Sequence, residues 1–322
     1  MVNNIVNKLK ILLVDDEERI LRSLGLLLRM QYEVTTTSSG AEALKLLETE
    51  DFHVLISDQR MPEITGTELL RQARELSPLT VRILLTGYAD VEAGLASINE
   101  GEVFRYINKP WGPKELRDTV ALAANIGLRQ REASSRPEPY PHPRPNLRPG
   151  IILVLDPDPQ ICLSVQALVD STRPCIGVST LDEALRLLAT HPVAVLICEL
   201  DLPGAQTTTL IKTLKRAYPQ LLTIALSHLQ DTRRIVELIN QAQVFRYLAK
   251  PLRPHILQKS LESALRKHEQ FQRTPLVEPE RQVEPIPEIR EQLLAARLLS
   301  QIQRLRSRLF TDQTARVKAQ ES

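Results

Sequence analysis

Short apolar runs alternate with longer stretches in which apolar residues recur every third or fourth position, and the alternation repeats along the chain. Ile11 to Val14 reads as a compact strand that stops at Asp15-Asp16, and Ile20, Leu21, Leu24, Leu27 and Leu28 follow at helical spacing. The β-branched segment Tyr32 to Thr37 predicts a second strand. A helix from about Ser39 to Leu47 comes next, with Ser38 or Ser39 as its N-cap. The strand His53 to Ser57 leads through a loop at Met61-Pro62 into a helix carrying Leu69, Leu70, Ala73 and Leu76. Strand Val81 to Leu85, a helix from about Val91 to Asn99, strand Val103 to Ile107 and a helix from about Pro113 to Leu128 complete five strand–helix units. Strands that alternate with helices imply a parallel sheet covered on both faces by right-handed crossovers.

The same pattern returns 141 residues later without a gap. Val54-Leu55-Ile56-Ser57-Asp58 becomes Val195-Leu196-Ile197-Cys198-Glu199. Val103-Phe104-Arg105-Tyr106 becomes Val244-Phe245-Arg246-Tyr247, and Lys109-Pro110 becomes Lys250-Pro251. Two domains of one fold are expected, over 9–130 and 150–268. Between them, Arg136 to Gly150 holds six prolines in fifteen residues, which excludes a helix and reads as an extended spacer within 131–149. A second Pro-rich linker spans 269–287, with four prolines from Thr274 to Pro287.

An amphipathic helix over 288–310 follows. Leu294, Leu298, Ile302, Leu305 and Leu309 lie on one stripe, too apolar to leave in water. Because the linker argues against its being a layer of the second domain, it is expected to form a coiled-coil homodimer or to dock on a partner, ahead of packing against its own domains.

Composition narrows the setting. Of 322 residues, 43% are apolar and 25% charged, and a net charge of +2 creates no global field toward nucleic acid or membrane. Cys162, Cys175 and Cys198 have neither metal-site spacing nor an even count, and read as small buried residues of a reducing compartment. The N-terminus lacks an apolar core of signal-peptide length, and no apolar run approaches a membrane span. A cytoplasmic protein without a membrane partner is expected.

The chemistry gathers where the strands end. In an open parallel sheet, ligands collect at the carboxyl edge. That edge should receive Asp15 and Asp16 after the first strand, Asp58 after the third, Thr86 after the fourth and Lys109 after the fifth. Three carboxylates crowded together repel one another, so the set makes sense around a hard cation such as Mg²⁺. With an ammonium and a hydroxyl opposite, it suits phosphoryl transfer to a carboxylate.

Leu13-Val14-Asp15-Asp16-Glu17, Asp58 with Met61-Pro62 behind it, Thr86-Gly87 and Lys109-Pro110, in this order, resemble the bacterial response-regulator receiver family. The resemblance implies two doubly wound, five-stranded, flavodoxin-like α/β domains. It further implies that Asp58 is the phospho-acceptor for a histidine kinase or phosphotransfer protein. Asp16 and Asp58, with the backbone carbonyl of Arg60, would bind Mg²⁺, and Asp15 would act through bound water. Lys109 would pair with a phosphate oxygen, aimed into the site by a cis Lys109-Pro110 bond. Thr86 would turn toward the phosphoryl group while Tyr106 rotates inward, passing the signal to a downstream protein. Trp111 reads equally as a partner contact or as a packed edge residue.

In the second copy the set is broken. Asp16 maps onto Pro157 and Asp58 onto Glu199, while Ser227 and Lys250 keep the hydroxyl and the amine. A glutamate facing a lysine would form an ion pair that imitates a phosphorylated aspartate; the alternative is a domain retained only as an interaction surface.

Two further readings stay open. Arg290, Arg297, Arg304, Arg306, Arg308, Arg316 and Lys318 suggest a nucleic-acid regulator, against which a lone helix with Glu288, Glu291, Asp312 and Glu321 argues. A phosphatase-like enzyme would use the acids too, but the loops suggest no substrate pocket. The expectation is therefore no enzymatic activity beyond the protein's own phosphorylation and dephosphorylation.

Overall fold

A computed structural model describes residues 8–87, 103–135, 150–170, 173–202, 207–218, 220–228, 232–273, 292 and 295–304. The chain divides into two compact units, taken separately below. The expected helix at 91–99 and the proline-rich segments 136–149 and 274–287 lie outside the described residues.

In the first unit, β1 (Lys10–Val14), β2 (Glu33–Thr37), β3 (Val54–Asp58), β4 (Val81–Thr86) and β5 (Arg105–Asn108) form one sheet in the order β2-β1-β3-β4-β5. All pairings are parallel. The central strands β1, β3 and β4 are almost wholly buried, which is why they read as continuous apolar runs rather than alternating ones. The helices are α1 (Glu18–Leu28), α2 (Gly40–Thr49), α3 (Gly66–Leu76) and α4 (Pro113–Ser135).

Leu21, Leu24 and Leu28 of α1 enter the core with Leu116, Val120 and Ala123 of α4. Ser39 caps α2, its hydroxyl accepting from the Glu42 amide, and Thr65 caps α3 in the same way. Helix α4 runs on to Ser135 instead of stopping near Leu128. Its last turns are anchored by Arg131, whose guanidinium donates to the Phe52 carbonyl at 2.6 Å. Trp111 is half-buried and packs against this core.

The second unit repeats the plan with β6 (Ile151–Leu155), β7 (Cys175–Val178), β8 (Val193–Glu199), β9 (Leu222–Ser227) and β10 (Arg246–Ala249). They run parallel in the order β10-β9-β8-β6-β7, the same topology as the first sheet. Its helices are α5 (Pro159–Gln166), α6 (Leu181–Thr190), α7 (Thr207–Ala217), α8 (Thr232–Ala242) and α9 (Pro254–Arg273). Of the three free cysteines, Cys198 is buried in β8, while Cys162 and Cys175 are half-buried and pack against the α5–α9 side of the core.

The tail departs from expectation. Residues 295–304 are helical, and Leu298 (7% exposed) and Ile302 (2%) sit in the core cluster formed by Leu185 and Leu188 of α6 with Leu210 and Leu214 of α7. Gln301 donates to the Asp182 carboxylate at 2.9 Å. The described part of the stripe is thus covered by its own domain and needs no second chain. A proline-rich linker delays the return of the chain but does not prevent it. Leu294, Leu305 and Leu309 of the same stripe lie outside the residues whose side chains are described.

Candidate functional site

Strand register brings the acids together. Val14 pairs with Ser57, Asp58 with Leu85 and Thr86 with Asn108, so the residues that follow or end these strands emerge along one carboxyl edge. Helix α3 is seated directly beneath: a Cβ on Gly66 would lie 2.0 Å from the Asp58 carbonyl oxygen, which only glycine avoids.

At this edge one carboxylate oxygen each from Asp15, Asp16 and Asp58 lie within 4.8 Å of one another, with Asp15 and Asp58 buried and Asp16 exposed. Lys109 spans two of them, its ammonium 2.7 Å from Asp58 Oδ1 and 3.0 Å from Asp15 Oδ2. Backbone amides complete the hold: Glu17 N–H donates to Asp15 Oδ1 at 2.9 Å, and Arg60 N–H to Asp58 Oδ2 at 3.2 Å. Thr86 is buried and donates to the Gly87 carbonyl at 3.1 Å. Tyr106 is buried as well, and the Lys109–Pro110 bond is cis.

Burial raises the Asp15 carboxyl above its ordinary range; the Glu17 amide and Lys109 oppose this, and the Asp58 charge adds to it. Burial alone would lower Lys109, but its hydrogen bonds to Asp58 and Asp15 outweigh it and hold the ammonium above its usual pKa. Three carboxylates against one ammonium leave an excess of negative charge confined to an acidic mouth. That donor set, all oxygen and partly open at Asp16, fits a hard divalent cation such as Mg²⁺.

The second unit carries the corresponding residues at its own carboxyl edge, with different bonds. Lys250 is clamped between Asp156, at 2.7 Å, and Glu199, with its side chain 7% exposed against 25% for Lys109. The Asp158 amide donates to Asp156 Oδ1 at 2.9 Å, repeating the Glu17–Asp15 contact. Among the described residues no three carboxylates here approach one another as Asp15, Asp16 and Asp58 do, and Pro157 stands in the place of Asp16. Lys250–Pro251 is also cis.

Sequence reading missed Asp201. Its amide donates to Glu199 Oε1 at 2.9 Å, and its Oδ2 accepts from the Ser227 hydroxyl at 2.9 Å. The available signal was its alignment with Arg60, where a carboxylate stands in place of a guanidinium.

The model of the response regulator receiver domain matches residues 11–121 and again 152–262. The chain belongs to that family. Both receiver domains are therefore members, the second with an altered acid set. Among curated proteins, the hydrogenase transcriptional regulatory protein HoxA of Bradyrhizobium diazoefficiens is 40% identical over 125 residues, covering 39% of this chain and 26% of that protein. HoxA of Cupriavidus necator is 44% identical over 113 residues, covering 35% and 23%. The chain thus spans about a quarter of the length of these relatives. A solved signal receiver domain of an HD domain-containing protein from Pseudomonas fluorescens Pf-5 is 36% identical, covering 41% of this chain and 97% of that one, with a TM-score of 0.38. No described helix is long and apolar enough to cross a membrane.

Proposed function

We propose that the first receiver accepts a phosphoryl group on Asp58 from a histidine kinase or phosphotransfer protein and signals through protein–protein contacts in the cytoplasm. The observation that carries this reading is the convergence of Asp15, Asp16 and Asp58 opposite Lys109 at one sheet edge.

An Asp58 oxygen attacks the phosphorus of a phosphohistidine, the P–N bond breaks, and an acyl phosphate remains on Asp58. Asp16 and Asp58, with the Arg60 carbonyl, would hold Mg²⁺ directly and Asp15 through water. The bound ion would neutralise charge on the phosphoryl oxygens in flight. Lys109, held over Asp58 Oδ1, needs only a small shift to pair with a phosphoryl oxygen. Thr86 exchanges its bond to the Gly87 carbonyl for one to the phosphoryl group, and the buried Tyr106 fills the space behind it. The added charge of about −1.5 to −2 biases this two-state edge. No turnover of outside substrates is proposed.

Trp111 is the single tryptophan of the chain, and it packs on this domain's core two residues beyond Lys109. In the full chain its fluorescence should respond saturably to Mg²⁺ and again to acetyl phosphate, with the second response lost in Asp58→Asn. An unchanged response in that variant would overturn the assignment.

A second reading rests on the tail. While Leu298 and Ile302 are buried, Arg297 and Arg304 are exposed on the outer face of the same helix, and the curated relatives are named as transcriptional regulators. Binding of duplex DNA that weakens steeply with salt and is lost in Arg297→Ala/Arg304→Ala would favour it.

A further inference from the structure

The two copies place a hydroxyl at the same register position but use it differently. Thr86 ends β4 and Ser227 ends β9, and both are buried. Thr86 donates to the carbonyl of its own neighbour, Gly87. Ser227 donates across the site to the Asp201 carboxylate at 2.9 Å. The first domain has Arg60 where Asp201 stands, and a guanidinium cannot accept a hydrogen bond.

The remaining groups of the second site are equally committed. The Glu199 carboxylate takes the Asp201 amide on Oε1 and contacts Lys250 with Oε2, and Lys250 is shared with Asp156 at 2.7 Å. A continuous chain of contacts therefore runs Asp156–Lys250–Glu199–Asp201–Ser227. It extends to Tyr247, which is buried on β10 and hydrogen-bonded to Ser227. The chain links the loop after β8 to the ends of β9 and β10.

An anion arriving from solution would find the hydroxyl occupied by a carboxylate, and a lysine shared by two acids as in the first site but with its side chain only 7% exposed, against 25% for Lys109. The first site carries a similar excess, but there Asp16 completes an acid set that fits a cation; among the described residues the second site forms no such set, so nothing offsets the repulsion. Charge-assisted contacts of this kind are about twice as strong as neutral ones; Asp201 itself is exposed, but Glu199, Ser227 and Tyr247, which it joins, are buried.

We propose that Asp201 is a built-in latch that occupies Ser227 from within and holds the second receiver in one conformation whatever the phosphoryl supply. The second domain would then present a constant surface to its partners, while the first alone switches. The inference concerns a different site from Asp58 and stands whether or not Asp58 is phosphorylated.

The test is hydrogen–deuterium exchange on the full chain, followed in peptides covering 222–228 and 244–250, with peptides covering 81–87 and 103–109 as the internal comparison. In the wild type, Mg²⁺ with beryllofluoride should leave the second-domain peptides unchanged. Asp201→Ala should speed their exchange by about three- to tenfold, the scale of losing one charge-assisted hydrogen bond from an exposed carboxylate, while Asp201→Asn, which keeps an acceptor for Ser227, should stay near wild type. Ser227→Ala removes the donor from the other side and should reproduce the Asp201→Ala result, so the contact is still read if either variant folds poorly. A beryllofluoride response in the second-domain peptides of the wild type would overturn the latch. So would unchanged exchange in both folded alanine variants. Silence of the first-domain peptides would count against the role of Asp58 and leave the latch untouched.

Discussion

Replacing Lys250 by methionine isolates the electrostatics of the second site. The side chain is 7% exposed, and it contacts Asp156 and Glu199, whose side chains are 1% and 6% exposed. Removing the ammonium leaves two buried carboxylates facing each other without compensation, while methionine keeps most of the packing volume. Breaking a buried ion pair from one side costs about 3–5 kcal/mol. For a domain of this size that lowers Tm on the order of 10–20 °C. The equivalent change at Lys109 should cost less, because its side chain is 25% exposed and Asp16 opens that cluster to water.

Mg²⁺ separates the two further: it should restore stability to Lys109→Met, where three carboxylates remain to hold it, and not to Lys250→Met. Adding Glu199→Gln to Lys250→Met removes one stranded charge and should recover part of the loss. Urea-dependent pulse proteolysis of the full chain, with fragments assigned by mass, reads each domain separately. If Lys250→Met unfolds its domain within about 1 kcal/mol of wild type, the account of a buried lysine that holds Asp156 and Glu199 together is wrong.

Gly66→Ala drives a methyl against the Asp58 carbonyl, so it should destabilise the first domain by about 1–3 kcal/mol and weaken the Mg²⁺ response of Trp111. Leu298→Glu/Ile302→Glu places charge in the second domain's core and should lower its stability by about 2–5 kcal/mol, with molar mass by light scattering unchanged. Glu68 is held down to about 2, from an ordinary 4.5, by hydrogen bonds from Arg71 and Gln72. Its small, partly screened contribution should therefore be complete above about pH 4.5 and lost as pH falls toward 2, which the stability gap between wild type and Glu68→Gln measures across that range. Lys250 is shifted the other way, as its bonds to Asp156 and Glu199 overcome the effect of burial. Its contribution should hold below pH 10.5 and fade only at more alkaline pH, where thermal melts of Lys250→Met and wild type converge.

Strands β1, β3 and β4 were readable because burial on both faces demands unbroken apolar runs, and those runs end at Asp15, Asp58 and Thr86. Strand ends placed the acids, so the first site followed from the same pattern that fixed the fold. The tail was misread because a stripe of Leu298 and Ile302 records how much apolar surface must be covered, not which surface covers it. Helix α4 outran its expected end because Arg131 reaches back to Phe52, a contact without periodicity. Asp201 was not legible because the repeat shows only that an acid stands in the place of Arg60, not that the loop after β8 turns it onto Ser227.

The count of phosphoryl groups on the full chain tests the central claim most directly. After incubation with acetyl phosphate and Mg²⁺, intact mass should show the gain of one phosphoryl group in the wild type. Asp58→Asn should show none, and Asp201→Ala should still show one. Two groups on the wild type, or a group retained by Asp58→Asn and mapped within 150–268, would contradict the division into one phospho-accepting receiver and one latched receiver.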